Sequence, residues 1–329
     1  MYNLKYYLSQ VEDILAHEDF IGNPAELYQP VDYTLRLGGK RIRPTLLLAA
    51  NGLFDGDAAM VRGAALGIET FHNFTLLHDD LMDRSPLRRG KPTVYTRWGD
   101  NAAILSGDTM FALAWRYFLR TPHPSLREIL QCFNDTAIEV CEGQQLDMNF
   151  EHRSDVTLDE YMEMIRLKTA VLLACALKLG ALYAGAPQRE TDLLYRFGIH
   201  TGLAFQLQDD LLDGYGDTAV FGKKTGQDIR DNKKTFLPLL ALKLASEQNR
   251  QDEARRLNAL FAEKDCADEE QKVREVMEVY ERLGLRAHVE AAIRKEFELA
   301  VHTLDEVAAD EEHKAPLREL LESLSERKK

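Results

Sequence analysis

Helical periodicity runs through almost the whole chain and alternating β-branched runs are nearly absent, so the sequence points to an all-α fold. The spacing predicts helices at 3–17, 25–37, 43–51, 58–83, 100–120, 125–150, 157–184, 189–214, 235–247, 250–262, 269–282, 285–309 and 313–327, with ends good to about 2–4 residues. Ten prolines, at 24, 30, 44, 86, 92, 122, 124, 187, 238 and 316, fit helix starts and inter-helix turns. The longest apolar run, AVLLACALKLGALYAGA at 170–186, contains Lys178 and is too short and too rich in Gly and Ala to cross a membrane. It reads as a buried helix, and no membrane span is expected. The N-terminal stretch reads as a short amphipathic helix carrying acids, without the features of a signal peptide. With no Ser/Pro/Gly-rich linker and no solenoid repeat, residues 1–329 are expected to form a single domain. The last third, from about residue 248, is rich in Glu, Lys and Arg at helical spacing and reads as a solvated helical layer packed on the main bundle.

Charge excludes some functions. The balance of 41 basic against 54 acidic residues, a formal net charge of −13, argues against a nucleic-acid partner. Cys132, Cys141, Cys175 and Cys266 match no zinc or redox spacing, so reduced thiols in a cytoplasmic protein are expected, with no role assigned.

Against that background LLHDDLMDRSPLRRGK, at 76–91, is odd. Asp79, Asp80 and Asp83 crowd one helical turn and repel one another, and Arg84, Arg88, Arg89 and Lys91 follow at once. A second cluster, FQLQDDLLD, supplies Asp209, Asp210 and Asp213. Both read Asp-Asp-x-x-Asp, whose outer carboxylates share a helix face with Cβ atoms about 5–6 Å apart. One such cluster alone reads as a solvated acidic helix end; two suggest hard oxygen ligands for Mg²⁺, which binds one or two carboxylates plus substrate phosphates. Each is followed by a long basic loop, at 84–99 and 214–234. A diphosphate could then bridge metal and cations, with Arg88 and Arg89 offering planar forks and Lys223, Lys224, Lys233 and Lys234 the corresponding charge.

Upstream, LGGKRIRPTL places Lys40, Arg41 and Arg43 at a helix N-terminus, a favourable place for an anion. His72 lies two turns before Asp79 on the same stripe and could donate to a diphosphate. Lys168 and Thr169 in RLKTA, and Gln206 before Asp209, would face such a pocket if their helices line it.

In this order GGKRIRP, HDDLMD with RRGKPT, KTA, FQLQDDLLD and GKKTGQDIRDNKK resemble the trans-type isoprenyl diphosphate synthases over about residues 35–240. The resemblance implies a bundle of mostly antiparallel helices around a deep central cavity, usually a homodimer, with the two Asp motifs facing each other across its mouth. It implies Mg²⁺-dependent condensation of isopentenyl diphosphate with an allylic diphosphate (dimethylallyl, geranyl or farnesyl). By position, Asp79 and Asp83 would bind two Mg²⁺ ions and Asp209 a third, supported by Asp80, Asp210 and Asp213. Lys40, Arg43, His72 and Arg89 would hold isopentenyl diphosphate. Arg88, Lys168, Lys233 and either Lys223 or Lys224 would hold the allylic diphosphate. Thr169 and Gln206 would face the reacting carbons, and Gln144 and Asp147 match a position near the metals.

Product length is expected to depend on side chains four to eight residues before Asp79, about 6–12 Å deeper along the helix. Helical projection favours Thr75 and Phe71; the family's pattern favours Thr75 and Phe74, which points to a C15–C20 product and rather to C20. Two rival readings are a terpene cyclase or head-to-head synthase and a silent partner subunit. The first has no need of GGKRIRP with Arg88 and Arg89, and the second would have lost an Asp cluster.

Overall fold

A computed structural model describes residues 3–216, 225–262 and 268–326. In chain order the helices are α1 (Leu4–His17), α2 (Ala25–Arg36), α3 (Ile42–Gly52), α4 (Ala58–Met82), α5 (Val94–Trp98), α6 (Asp100–Phe118), α7 (Leu126–Glu151), α8 (Leu158–Ile165), α9 (Val171–Tyr183) and α10 (Gln188–Tyr215). They continue with α11 (Gln227–Arg230), α12 (Phe236–Glu247), α13 (Gln251–Ala262), α14 (Glu269–Leu283), α15 (Leu285–Asp305) and α16 (Glu311–Ser325). The fold is all-α. Its strands among the described residues are β1 (Leu87–Arg88) and β2 (Lys91–Pro92), an antiparallel hairpin.

Local signals explain the helix boundaries. Asn3 caps α1 through the Tyr6 N–H, and Asp57 caps α4 through the Ala59 N–H. Thr157 and Glu160 form a reciprocal capping box on α8, and Gly284 ends α14 in the left-handed conformation. Two prolines depart from the expectation, since Pro30 lies inside α2 and Pro316 inside α16. Both helices carry on past the missing N–H, and at Pro30 the Thr34 hydroxyl donates to the proline carbonyl at 2.8 Å.

The chain divides into two compact units: residues 1–134, 175–195 and 307–319, and residues 135–174, 196–306 and 320–329. The first has a core of aliphatic and aromatic side chains that includes Leu46, Leu47, Phe71, Phe118 and Phe133. Its helices approach closely where Gly180 on α9 lies against the Leu47 carbonyl of α3; a Cβ there would fall 2.1 Å from that oxygen. The apolar run at 171–183 is indeed a helix buried on nearly every side, and Lys178 reaches Asp192 at 2.7 Å.

In the second unit one continuous core joins Tyr161, Leu207, Phe236, Val276, Tyr280 and Val289. This corrects the expectation for the C-terminal third, which is a source of core and not only a solvated layer. Within its charged sequence, Val276, Val279, Tyr280 and Leu283 form one buried stripe on α14. Between α8 and α9, Arg166–Ala170 forms a π-helical turn that the periodicity did not signal. It is tightly held: a Cβ on Gly143 of α7 would lie 2.4 Å from the Lys168 nitrogen, and one on Gly202 of α10 would lie 2.6 Å from the Ala170 Cα. Glycine at both positions lets the backbones meet there.

Candidate active site

In the first unit, α4 delivers the first acidic motif at its C-terminal end. Asp79 is half-buried and Asp83, the C-cap, is exposed; the Asp83 N–H donates to the Asp79 carbonyl at 2.8 Å, so the two stand one turn apart. Asp80 points elsewhere. It is buried and accepts the Arg88 Nε at 2.7 and 2.9 Å and an Arg88 terminal nitrogen at 2.7 Å. Burial pushes the Asp80 carboxyl up more than Arg88 pulls it down. Arg88 sits on β1, and the hairpin is tied to α2 by the Tyr33 hydroxyl, which donates to the Pro92 carbonyl at 2.7 Å.

Around His72 the first unit gathers cations. Arg43 donates to His72 Nε2 at 3.1 Å. Burial lowers the imidazole well below its usual range, and Arg43, Arg89, Arg88 and Arg41 depress it further, so the ring is neutral and carries its proton on Nδ1. Burial also brings the Arg43 guanidinium down to about 10. Arg89 donates to the Gly38 carbonyl and passes so close to Gly39 that a Cβ there would fall 2.7 Å from its Nη2. Lys40 is exposed beside this turn. Arg41, by contrast, is turned inward with φ 48°, bonding Glu69 at 2.5 Å and the Leu35 carbonyl at 2.6 Å, so it shapes the turn.

The residues expected to set product length are brought together. Phe71 is fully buried, with ring centroids 5.2 Å from Phe133, 5.9 Å from Phe111 and 5.5 Å from Phe74. Phe74 is half-buried against Phe111 at 5.5 Å and His78 at 4.8 Å, and the Thr75 hydroxyl donates to the His72 carbonyl at 2.8 Å.

In the second unit the π-helical turn presents Lys168 and Thr169. Lys168 Nζ pairs with Asp147 at 2.7 Å. The Thr169 hydroxyl donates to Gln206 Oε1 at 3.2 Å, and Gln206 Nε2 donates to Asp210 Oδ1 at 3.1 Å. The other Asp210 oxygen accepts the Tyr161 hydroxyl and, at 3.2 Å, the Phe236 N–H. Burial raises the Asp210 carboxyl to about 6 despite these donors. Asp213 accepts the Gln227 and Asp228 N–H groups at 3.2 and 3.1 Å, capping α11. Asp228 is pushed up to about 7 by burial and by Asp213 and Asp210, with Lys233 opposing. Asp209 is half-buried. Lys223 and Lys224 lie outside the described residues.

Asp79 and Asp83 in the first unit, and Asp209 in the second, carry the hard oxygen donors that magnesium prefers. Among the described residues no three His, Cys, Asp or Glu side chains cluster as a metal cage. Four contributors escaped the sequence reading. Glu69 could have been found one turn before Asn73 on the inward stripe; it accepts from Arg41 and, at 2.8 Å, from Asn73. Phe111, Tyr161 and Asp228 join through tertiary packing and carried no local signal. No described helix is long and apolar enough to cross a membrane.

The chain matches the polyprenyl synthetase family profile over residues 24–280. It is 39% identical over 283 residues to a short chain isoprenyl diphosphate synthase of Methanothermobacter thermautotrophicus, covering 86% of this chain and 85% of the relative. A crystal structure of a geranylgeranyl pyrophosphate synthase superposes with TM-score 0.93 at 40% identity and full coverage of both chains. Another, from Corynebacterium glutamicum and complexed with isoprenyl diphosphate and magnesium, gives TM-score 0.85 at 29% identity, covering 99% of this chain and 100% of that one. The chain therefore belongs to the polyprenyl synthetase family, the trans-isoprenyl diphosphate synthases.

Proposed function

We propose that this prenyltransferase condenses isopentenyl diphosphate head-to-tail with dimethylallyl, geranyl or farnesyl diphosphate, giving a C15–C20 all-trans diphosphate, with C20 the expected end product. The observation that carries the reading is the basic cluster beside the first Asp motif: Arg43 bonded to His72 at 3.1 Å, Arg89 on the Gly38 carbonyl and Arg88 on Asp80. A cyclase has no use for this second diphosphate site. Arg43, His72, Arg89 and Lys40 hold isopentenyl diphosphate; Arg88, Lys168, Lys233 and Lys223 or Lys224 hold the allylic diphosphate. His72, neutral with Nδ1 protonated, can donate to a phosphate oxygen without being charged. Asp79 and Asp83 would hold two magnesium ions and Asp209 a third, with Asp80 supporting by fixing Arg88 and Asp213 by capping α11. Magnesium bound there would neutralise charge on the departing diphosphate. Thr169, Gln206 and the Lys168 carbonyl turn dipoles toward the allylic cation as its C–O bond ionises, and the double bond of isopentenyl diphosphate attacks it. The released diphosphate takes the final proton.

The protein acts as one catalytic domain, in the cytoplasm and as a homodimer, for which exposed Ile104 and Leu105 on α6 offer an apolar face; a monomer mass in light scattering would remove that assembly. The activity is tested by incubating the protein with Mg²⁺, labelled isopentenyl diphosphate and separate C5, C10 and C15 starters, then separating the dephosphorylated products. Labelled C20 alcohol from each starter is expected. Label that stays in isopentenol would overturn the reading.

A further inference from the structure

Asp210 belongs to the second acidic motif, yet its surroundings differ from those of a metal ligand. It is 4% exposed, and both oxygens are already engaged by protein donors: Oδ2 by the Tyr161 hydroxyl and the Phe236 N–H, Oδ1 by Gln206 Nε2. A carboxylate has about four acceptor directions, so three are taken and the last has little access to solvent. Asp209, its neighbour, lies about 100° round the helix and is half-buried.

The chain of contacts beyond Asp210 has a direction. With its amide flipped, Gln206 would set its carbonyl oxygen 3.1 Å from a carboxylate oxygen, a repulsive contact between two acceptors. Asp210 therefore fixes the amide with NH₂ toward itself and Oε1 toward Thr169. That oxygen can only accept, so the Thr169 hydroxyl must spend its single proton on it, at 3.2 Å. What the hydroxyl retains for any other neighbour is lone-pair density.

We propose that Asp210 is a positioning residue and not a metal ligand: held by Tyr161 and the Phe236 amide, it orients Gln206, which turns the Thr169 proton aside and leaves the hydroxyl lone pairs to face an electron-poor carbon. The inference rests on the placement of Thr169 beside the allylic cation and adds the reason a hydroxyl can serve there. A hydroxyl free to rotate would have to reorient as charge develops, whereas a preset dipole needs no reorganisation. Tyr161, 49 residues from Asp210 in sequence, becomes part of the catalytic support through one hydrogen bond.

The test compares Tyr161→Phe, Asp210→Asn, Thr169→Val, Thr169→Ser and the double variant Thr169→Val/Asp210→Asn, with Asp209→Asn as the metal-site reference. kcat, both KM values and the half-saturating Mg²⁺ concentration are measured, normalised to folded protein by circular dichroism. Tyr161→Phe and Asp210→Asn are expected to lower kcat roughly tenfold with KM and Mg²⁺ dependence unchanged, since each removes a hydrogen bond to a charged group or the charge itself. Thr169→Ser should keep most of the activity that Thr169→Val loses. The double variant should be no slower than Thr169→Val, because both changes act through one hydroxyl. Asp209→Asn alone should raise the Mg²⁺ requirement. Multiplicative losses in the double variant, or a Mg²⁺ requirement in Asp210→Asn as high as in Asp209→Asn, would overturn the proposal; should Asp210→Asn fail to fold, wild-type kcat in Tyr161→Phe does so by itself. Wild-type rates in Thr169→Val, with product still formed, would instead remove the placement of Thr169 on which it rests.

Discussion

His72 shows how one side chain is tuned by what surrounds it. Burial, reinforced by four arginines, holds its ring neutral, so its folded-state pKa lies below the ordinary value of 6.5. A depressed pKa contributes stability that is present above about pH 6.5 and is lost as pH falls through the folded value, because the unfolded chain then binds the proton more readily. In phosphate-free buffer the melting temperature is expected to fall between about pH 7 and 5, and His72→Gln should flatten part of that slope. Parallel melting curves for the two proteins across this range would show that the ring does not carry the effect. At this scale the sequence was readable where chemistry is local. The Asp motifs, GGKRIRP and RLKTA announce themselves by charge and spacing. Asp80 and Asp213 could not be told from their neighbours, since pairing with Arg88 and capping of α11 depend on where the following loops fold back. Tyr161 was hidden for the same reason.

At the scale of elements, helix ends followed the apolar stripes and caps to within a few residues, whereas the π-helical turn did not show. One extra residue in a turn shifts the apolar stripe by only about 100°, and RLKTA is short enough to hide the slip. The turn carries Lys168 and Thr169, which the proposed function places at the substrate, and it is held closely by Gly143 and Gly202. Gly143→Ala drives a methyl into backbone and is expected to destabilise the protein by about 1–3 kcal/mol. It should also lower kcat per folded molecule, while Gly63→Ala, whose Cβ would fall 2.6 Å from the Tyr117 carbonyl oxygen, costs stability alone. Equal kcat in both variants would detach the turn from catalysis. The aromatic layer on α4 and α6 belongs to the same scale. Phe71 is fully buried between Phe111 and Phe133, whereas Phe74, packed on the same layer, is half-buried, so the proposed limit on a growing tail is assigned to Phe74. Phe74→Ala should lengthen the product distribution past C20, as read by chromatography of the dephosphorylated products; an unchanged distribution would assign the limit to other residues.

For the whole molecule, composition was a poor guide to where its core lies. A last third so rich in Glu, Lys and Arg still supplies Val276, Tyr280, Leu285 and Val289 to a fully buried core, because one apolar stripe per helix suffices. Division into two compact units was invisible in sequence, since the chain crosses between them inside α7, α9, α10 and α16, and otherwise just after α15, with no linker of distinct composition. The proposed function assigns roles in each: to Asp79, Asp83, His72 and the arginines in the first unit, and to Lys168, Thr169, Gln206 and Asp209 in the second. The central claim of the proposed function is that each Asp motif binds magnesium that an allylic diphosphate requires. Calorimetric titration of an unreactive allylic thiodiphosphate, with and without Mg²⁺, into wild type, Asp79→Ala and Asp209→Ala tests it most directly. Magnesium-dependent binding by the wild type, weakened at least tenfold in each variant with helix content unchanged, is the predicted result. Wild-type affinity in both variants, or binding indifferent to magnesium, would contradict it.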